Sequence, residues 1–155
     1  MKAVITCAGY ASRLWPLTKD TPKPLLEVKN RPIIEHIIDK ITELSDVDSI
    51  YIITNEKFHT NFEKWLQNKS FSIPVKILND FTTSNDDRLG QVGDIQFVIE
   101  KENLDDDLLV VAGDNLFNFS LLPAFEVFKK ASNIVNPLWE SKSYKAARES
   151  GSVVL

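Results

Sequence analysis

Residues 6–28 read TCAGYASRLWPLTKDTPKPLLEV. The stretch follows the apolar run KAVIT (Lys2–Thr6), so it is a loop leaving the end of a strand. Small residues stand at Ala8, Gly9, Ala11 and Ser12, and the cations Arg13, Lys19 and Lys23 follow, with Pro16, Pro22 and Pro24 among them. Small side chains let backbone N–H groups approach an anion closely, and phosphate is the usual anion at such a loop. Arg13 offers a planar fork for phosphate oxygens, and Lys23 a mobile point charge. Pro22 and Pro24 stiffen the chain on both sides of Lys23, which lowers the entropy lost in holding it. The plainer alternative is turn chemistry with a solvated lysine.

Outward from this loop the chain alternates between two periods. PIIEHIIDKITEL (32–44) carries apolar residues at Ile33, Ile34, Ile37, Ile38, Ile41 and Leu44, which is helical spacing, with Pro suited to the first turn. SIYIITN (49–55) is a β-branched and aromatic strand. EKFHTNFEKWLQNK (56–69) predicts a helix with Phe58, Phe62, Trp65 and Leu66 on one face, and PVKILN (74–79) the next strand. DFTTSNDDR (80–88) has no periodicity and is a loop, after which LGQVGDIQFVIEKEN (89–103) resumes a helix. DLLVVAGDN (107–115) is the cleanest candidate for a buried strand. SLLPAFEVFKKAS (120–132) is a helix with Ser120 placed to cap it, and NIVNPLW (133–139) and GSVVL (151–155) read as further strands. Strand alternating with helix gives an α/β fold: a Rossmann-like, mostly parallel sheet with helices on both faces, formed by residues 1–155 as one domain.

Composition bounds the function. The chain has 155 residues, 43% apolar and 26% charged, as in ordinary globular proteins. A net charge of −4 provides no overall field for nucleic acid or an anionic membrane, so the cations of the opening loop are a local feature. The single cysteine, Cys7, cannot form an internal disulfide and reads as a buried bystander. No stretch is long and apolar enough to span a bilayer, no signal pattern precedes the first strand, and the expected compartment is the cytoplasm.

In open α/β sheets, ligands bind at the carboxyl ends of the strands. That rule gathers the opening loop, the loop ending in RLGQVGD, and the loop after VVAGD. Asp114 stands at the mouth of the last strand, with Gly113 giving backbone room. A carboxylate there can hold Mg²⁺, which takes few protein carboxylates and completes its shell with substrate phosphates. The alternative is a turn-capping aspartate. Cations together with this carboxylate suggest nucleotide chemistry. A phosphate loop ending in Gly-Lys-Ser/Thr is absent, and the dinucleotide fingerprint fails because AGYASR places Arg13 at its third glycine.

AGYASRLWPLTKDTPKPLLEVKNRPIIEHII resembles the signature of the sugar-1-phosphate nucleotidyltransferases, or nucleotide-sugar pyrophosphorylases, roughly G-G-x-G-T-R-L-x-P-L-T-x-x-x-P-K-P. Ala8 and Gly9 stand for the glycine pair, Ala11 for the later glycine and Ser12 for the threonine, while Arg13, Pro16, Lys23 and Pro24 match outright. Leu89-Gly90 looks like the family's base-binding L-G-T-A loop, GDN (113–115) matches its metal-binding turn, and ESGSVVL is similar to its Y-G-V-V strand. The resemblance runs the length of the chain.

It implies that a sugar-1-phosphate, or a similar phosphomonoester, attacks the α-phosphorus of an NTP, releasing pyrophosphate with Mg²⁺ as cofactor. By the same resemblance, backbone groups of Ala8 to Ser12 hold the nucleotide, Arg13 neutralises the leaving pyrophosphate and Lys23 bridges the reacting phosphates. Gly90 lies against the base, Asp114 holds Mg²⁺ and Gly151 faces the sugar. Three departures stand out. Ala11 puts a methyl in the phosphate loop, at a cost of about 1–2 kcal/mol if the position needs positive φ. Tyr10 is a candidate to touch base or ribose. The loop before Gly90 is long and acidic, with Asp80, Asp86 and Asp87. Family members continue past this point, so the chain reads as a C-terminally incomplete nucleotidyltransferase domain. The apolar end Val153–Leu155 would then seek cover in its own sheet or in a homodimer. Two alternatives remain: a catalytically silent regulatory or assembly subunit, against which Arg13 and Lys23 argue, and a dinucleotide-dependent enzyme.

Overall fold

The computed structural model describes residues 1–131 and 133–137. Two compact units meet at Leu121/Leu122 in the chain. The first, residues 1–121, contains a four-stranded sheet built from β1 (Lys2–Thr6), β4 (Ser49–Thr54), β5 (Val75–Asn79) and β6 (Leu108–Ala112). All neighbours are parallel, in the order β5-β4-β1-β6.

Helix α1 (Ile33–Thr42) links β1 to β4, α2 (Glu56–Gln67) links β4 to β5, and α3 (Gly90–Glu102) links β5 to β6. Side chains alternate across a strand, and here both faces are covered. On one face Val4, Ile53 and Leu78 pack with Val98 of α3. Ala3, Ile5, Ile50 and Ile52 point the other way and are equally buried. The apolar rows of α1 (Ile33, Ile34, Ile37, Ile38, Ile41) and of α2 (Phe58, Phe62) are buried as their spacing predicts. Glu35 ties these two helices, accepting from Trp65 Nε1 at 2.9 Å and pairing with Lys69 Nζ at 2.8 Å.

Three details differ from the sequence reading. A short hairpin of β2 (Glu27–Val28) and β3 (Arg31–Pro32) precedes α1. Its two turn residues, Lys29 and Asn30, have φ of 53° and 61°, the paired positive values of a two-residue hairpin turn. Strand β6 is less buried than its apolar run suggests. It stands at the sheet edge among the described residues, and Val110 is 37% exposed. The strand expected at 133–139 does not form over its described part, 133–137. There the Asn133 side chain accepts from the N–H of Ile134 at 2.7 Å, and Pro137 has no N–H to offer a ladder.

The second unit begins with α4 (Leu122–Ala131), the helix expected there, with Lys129 over the Phe125 ring. Gly151 and the SVVL segment lie outside the described residues.

Candidate active site

The strand order fixes where a ligand site belongs. Successive connections run from β1 outward to β5, then α3 carries the chain back across the sheet to β6 on the other side of β1. The order therefore reverses between β1 and β6, and a crevice opens beyond their carboxyl ends. The loops at that point begin at Cys7 and Gly113.

Gly113 is needed for this approach. A Cβ there would stand 2.3 Å from Cys7 Sγ, 3.1 Å from Ile5 Cγ2 and 3.2 Å from the Thr6 carbonyl. The Gly113 N–H donates to that carbonyl at 2.9 Å, which seats the Asp114 turn against β1. Cys7 is buried and free, and burial pushes its thiol well above the ordinary range, as befits packing rather than chemistry.

A cavity of about 520 Å³ occupies the crevice. Ala8, Gly9, Ala11, Ser12, Arg13, Lys23, Gly90 and Asp114 all line it. The fold thus gathers every one of the site residues expected from the sequence that lie among the described residues. The opening loop is held from below by Asn55, whose Nδ2 donates to the Ala8 carbonyl at 2.8 Å while its Oδ1 caps α2 by accepting from Phe58 N–H at 3.0 Å. Among the described residues, the N–H groups of Ala8, Gly9, Tyr10 and Ala11 have no acceptor within the protein.

Ala11 adopts φ 46°, ψ 36°, the left-handed conformation that favours glycine. Thr18 Oγ1, fully buried, holds the Ala11 carbonyl at 2.8 Å and helps maintain it. Ser12–Leu14 then forms a 3-10 turn that carries Arg13, which is exposed and has no acidic partner among the described residues. Lys23 opens a second 3-10 turn, Lys23–Leu25, between buried Pro22 and Pro24. Its Nζ pairs with Asp114 Oδ2 at 3.0 Å.

Tyr10 is not free to meet a base with its hydroxyl. The ring is buried beside Phe58, and the O–H donates to the Thr82 carbonyl at 3.0 Å. The acidic loop is largely self-organised. Asp87 accepts from the N–H and hydroxyl groups of Thr83 and Ser84, which pull its pKa down to about 2.

The sequence reading missed Asn85, Arg88, Gln91 and Asp94, which also line the cavity. Arg88 adds a third cation and directly precedes Leu89-Gly90, a signal that was available. Asp94 lies on α3 and is only 5% exposed. Burial, reinforced by the charge of Asp80, pushes its pKa up to about 6. Asp80 is buried as well and is also raised, chiefly by desolvation against two bonds from Thr82.

A metal must fit these donors if one belongs here. No group of three or more metal-binding side chains occurs among the described residues. One exposed carboxylate beside cations suits Mg²⁺, which keeps waters and leans on substrate phosphates, better than it suits an ion needing a protein cage.

Fold and cavity together define a parallel α/β protein with a switch-point crevice lined by backbone of the opening loop and by Arg13, Lys23 and Arg88. The family model described as nucleotidyl transferase matches residues 2–153, and the chain belongs to that family. It is 36% identical over 121 residues to the bifunctional protein GlmU of Methanocaldococcus jannaschii, covering 78% of this chain and 26% of that protein. A UTP–glucose-1-phosphate uridylyltransferase, AglF of Haloferax volcanii, is 26% identical over 121 residues, covering 78% of this chain and 46% of AglF. A crystal structure of a Bacillus anthracis protein assigned as a glucose-1-phosphate thymidylyltransferase superposes with a TM-score of 0.70 at 29% identity, over 84% of this chain and 50% of that one. The chain thus spans from about a quarter to a half of the length of these relatives. No described helix is long and apolar enough to cross a membrane.

Proposed function

We propose that the chain supplies the nucleotide half of a sugar-1-phosphate nucleotidyltransferase. The observation that carries this reading is the switch-point cavity, which the open N–H groups of Ala8 to Ala11 share with Arg13, unpaired among the described residues, and with the Lys23–Asp114 pair. Open N–H groups with adjacent cations suit the oxygens of a polyphosphate. The phosphoryl chemistry needs no covalent enzyme intermediate. An oxygen of the sugar-1-phosphate attacks the α-phosphorus of the NTP, and the bond to pyrophosphate breaks.

What the protein contributes is positioning and charge. Backbone groups of Ala8 to Ser12 hold the triphosphate. Arg13 takes up negative charge on the departing pyrophosphate, and Lys23 neutralises the phosphates that react. Gly90, exposed at the head of α3, leaves room for the base. Asp114 would hold Mg²⁺, which supplies further neutralisation when bound. Lys23 Nζ pairs with that carboxylate at 3.0 Å. Retention of both Arg13 and Lys23 favours catalysis over a silent subunit. The free Cys7 and the NTP requirement fit the cytoplasm.

The test is thermal unfolding with NTP and Mg²⁺, with NAD, and with neither. An NTP at about 100 times its Kd adds roughly 2.7 kcal/mol, and NAD adds nothing comparable. Pyrophosphate release with a panel of sugar-1-phosphates then tests transfer. Equal stabilisation by NAD, or none by any NTP, contradicts the reading.

A further inference from the structure

Arg88 is the cavity cation that the reaction above does not use. It is exposed, and among the described residues no acid pairs with it and no side-chain hydrogen bond holds it. Its neighbour in the chain, Asp87, is already taken by the N–H and hydroxyl groups of Thr83 and Ser84. The opening loop brings its own cations, Arg13 and Lys23, for the phosphates. Arg88 comes from a different segment, the one that leads into α3 and lines the cavity with Asn85, Gly90, Gln91 and Asp94.

The polar groups of this segment differ in what they can accept. The amides of Asn85 and Gln91 can turn either oxygen or nitrogen toward a partner, so they suit an oxo or an amino group equally. Asp94 is 5% exposed and its Oδ1 is wholly enclosed. The Arg88 guanidinium cannot change its polarity, because it has N–H donors and no acceptor. On a nucleoside triphosphate the base edge farthest from the ribose carries the group that varies. Uracil, thymine, guanine and hypoxanthine hold an oxygen there, and cytosine and adenine an amino group. Resting on the reading that puts the base at Gly90 and the phosphates at the opening loop, we infer that Arg88 selects the NTP by this edge, favouring an oxo group over an amino group. Arg88 stands two residues before Gly90, within a side chain's length of a base seated there. Its charge strengthens a bond to an oxo group and opposes the N–H donors of an amino group.

The experiment is calorimetric titration of the chain with two pairs that differ at this edge, UTP against CTP and ITP against ATP, and with inorganic tripolyphosphate, repeated with Arg88→Gln. The members of a pair carry the same charge, so their attraction to Arg13 and Lys23 cancels. The expected result is that each pair that binds favours its oxo member by about 10- to 100-fold. Because Arg88 is exposed, its replacement leaves the core intact. In Arg88→Gln the amide adapts to either group, so the ratio falls toward parity through weaker binding of the oxo member, while tripolyphosphate affinity changes much less. No preference within either pair, a preference for the amino member, or an oxo preference that survives Arg88→Gln overturns the inference and leaves the nucleotide site standing. Equal weakening of all NTPs and of tripolyphosphate in the variant makes Arg88 a phosphate contact and also overturns it. Failure of every NTP to bind removes this inference together with the reading it rests on.

Discussion

Asp94→Asn should make the chain more stable at neutral pH, and the gain should fade in acid. In the folded chain the carboxyl is pushed from 3.8 to about 6, first by burial and then by Asp80. An acid whose pKa is raised on folding holds its proton more tightly in the native state. Protonation then favours folding, so its contribution is whole below the unfolded pKa and is lost as pH rises through the folded one. The displacement corresponds to about 3 kcal/mol lost by pH 7.5 and about 1 kcal/mol lost at pH 4.5. Asn keeps the shape and discards the charge. Urea unfolding of both proteins, followed by tryptophan fluorescence at pH 7.5 and 4.5, gives the difference at each pH, and other titrating groups largely cancel. The stability gain of the variant should shrink by about 2 kcal/mol between the two conditions. A gain that stays constant with pH, or a loss at pH 7.5, would refute the claim that Asp94 is a strained buried carboxyl.

Gly113→Ala should cost about 2–4 kcal/mol, because its Cβ meets Cys7 Sγ and the backbone of Thr6 rather than a side-chain tip. Chemical denaturation measures it, and a cost under about 0.5 kcal/mol would mean that the β1–β6 junction yields freely. Ala11→Gly relieves the left-handed strain and should add about 1 kcal/mol, read from the urea midpoint; a destabilised variant would show that the methyl earns its place. Lys23→Ala should slow pyrophosphate release by about 100-fold or more while weakening NTP affinity much less, since its charge matters most as the phosphates react. Equal losses in affinity and turnover would reduce Lys23 to a ground-state contact.

Much of the frame was legible because periodicity reports burial. The isoleucine row of α1 and the Phe58–Phe62 pair of α2 fell inside, and the strands between them paired in parallel. The opening loop stood out by its mixture of small residues, cations and prolines, and its small residues line the cavity with Arg13 and Lys23. The β2–β3 hairpin escaped because Lys29 and Asn30 carry the positive φ values without a glycine to announce them. β6 is less buried than its apolar run suggests, because among the described residues it has a strand on one side only. Asp94 escaped because one aspartate on a helix looks like any solvated charge, and only the return of α3 across the sheet buries it. Asn55 reads as the end of a strand, yet its two bonds tie the opening loop to α2. Gly151 lies outside the described residues, so its expected place against the sugar rests on the resemblance alone.

The central claim is that the N-terminal loop and Lys23 hold the triphosphate of a nucleotide at the switch point. A crystal of the chain soaked with mixed NTPs and Mg²⁺ tests it most directly. The account predicts phosphate oxygens on the N–H groups of Ala8 to Ala11, with Arg13 and Lys23 alongside and the base beside Gly90. A nucleotide bound away from residues 8–23 would contradict it.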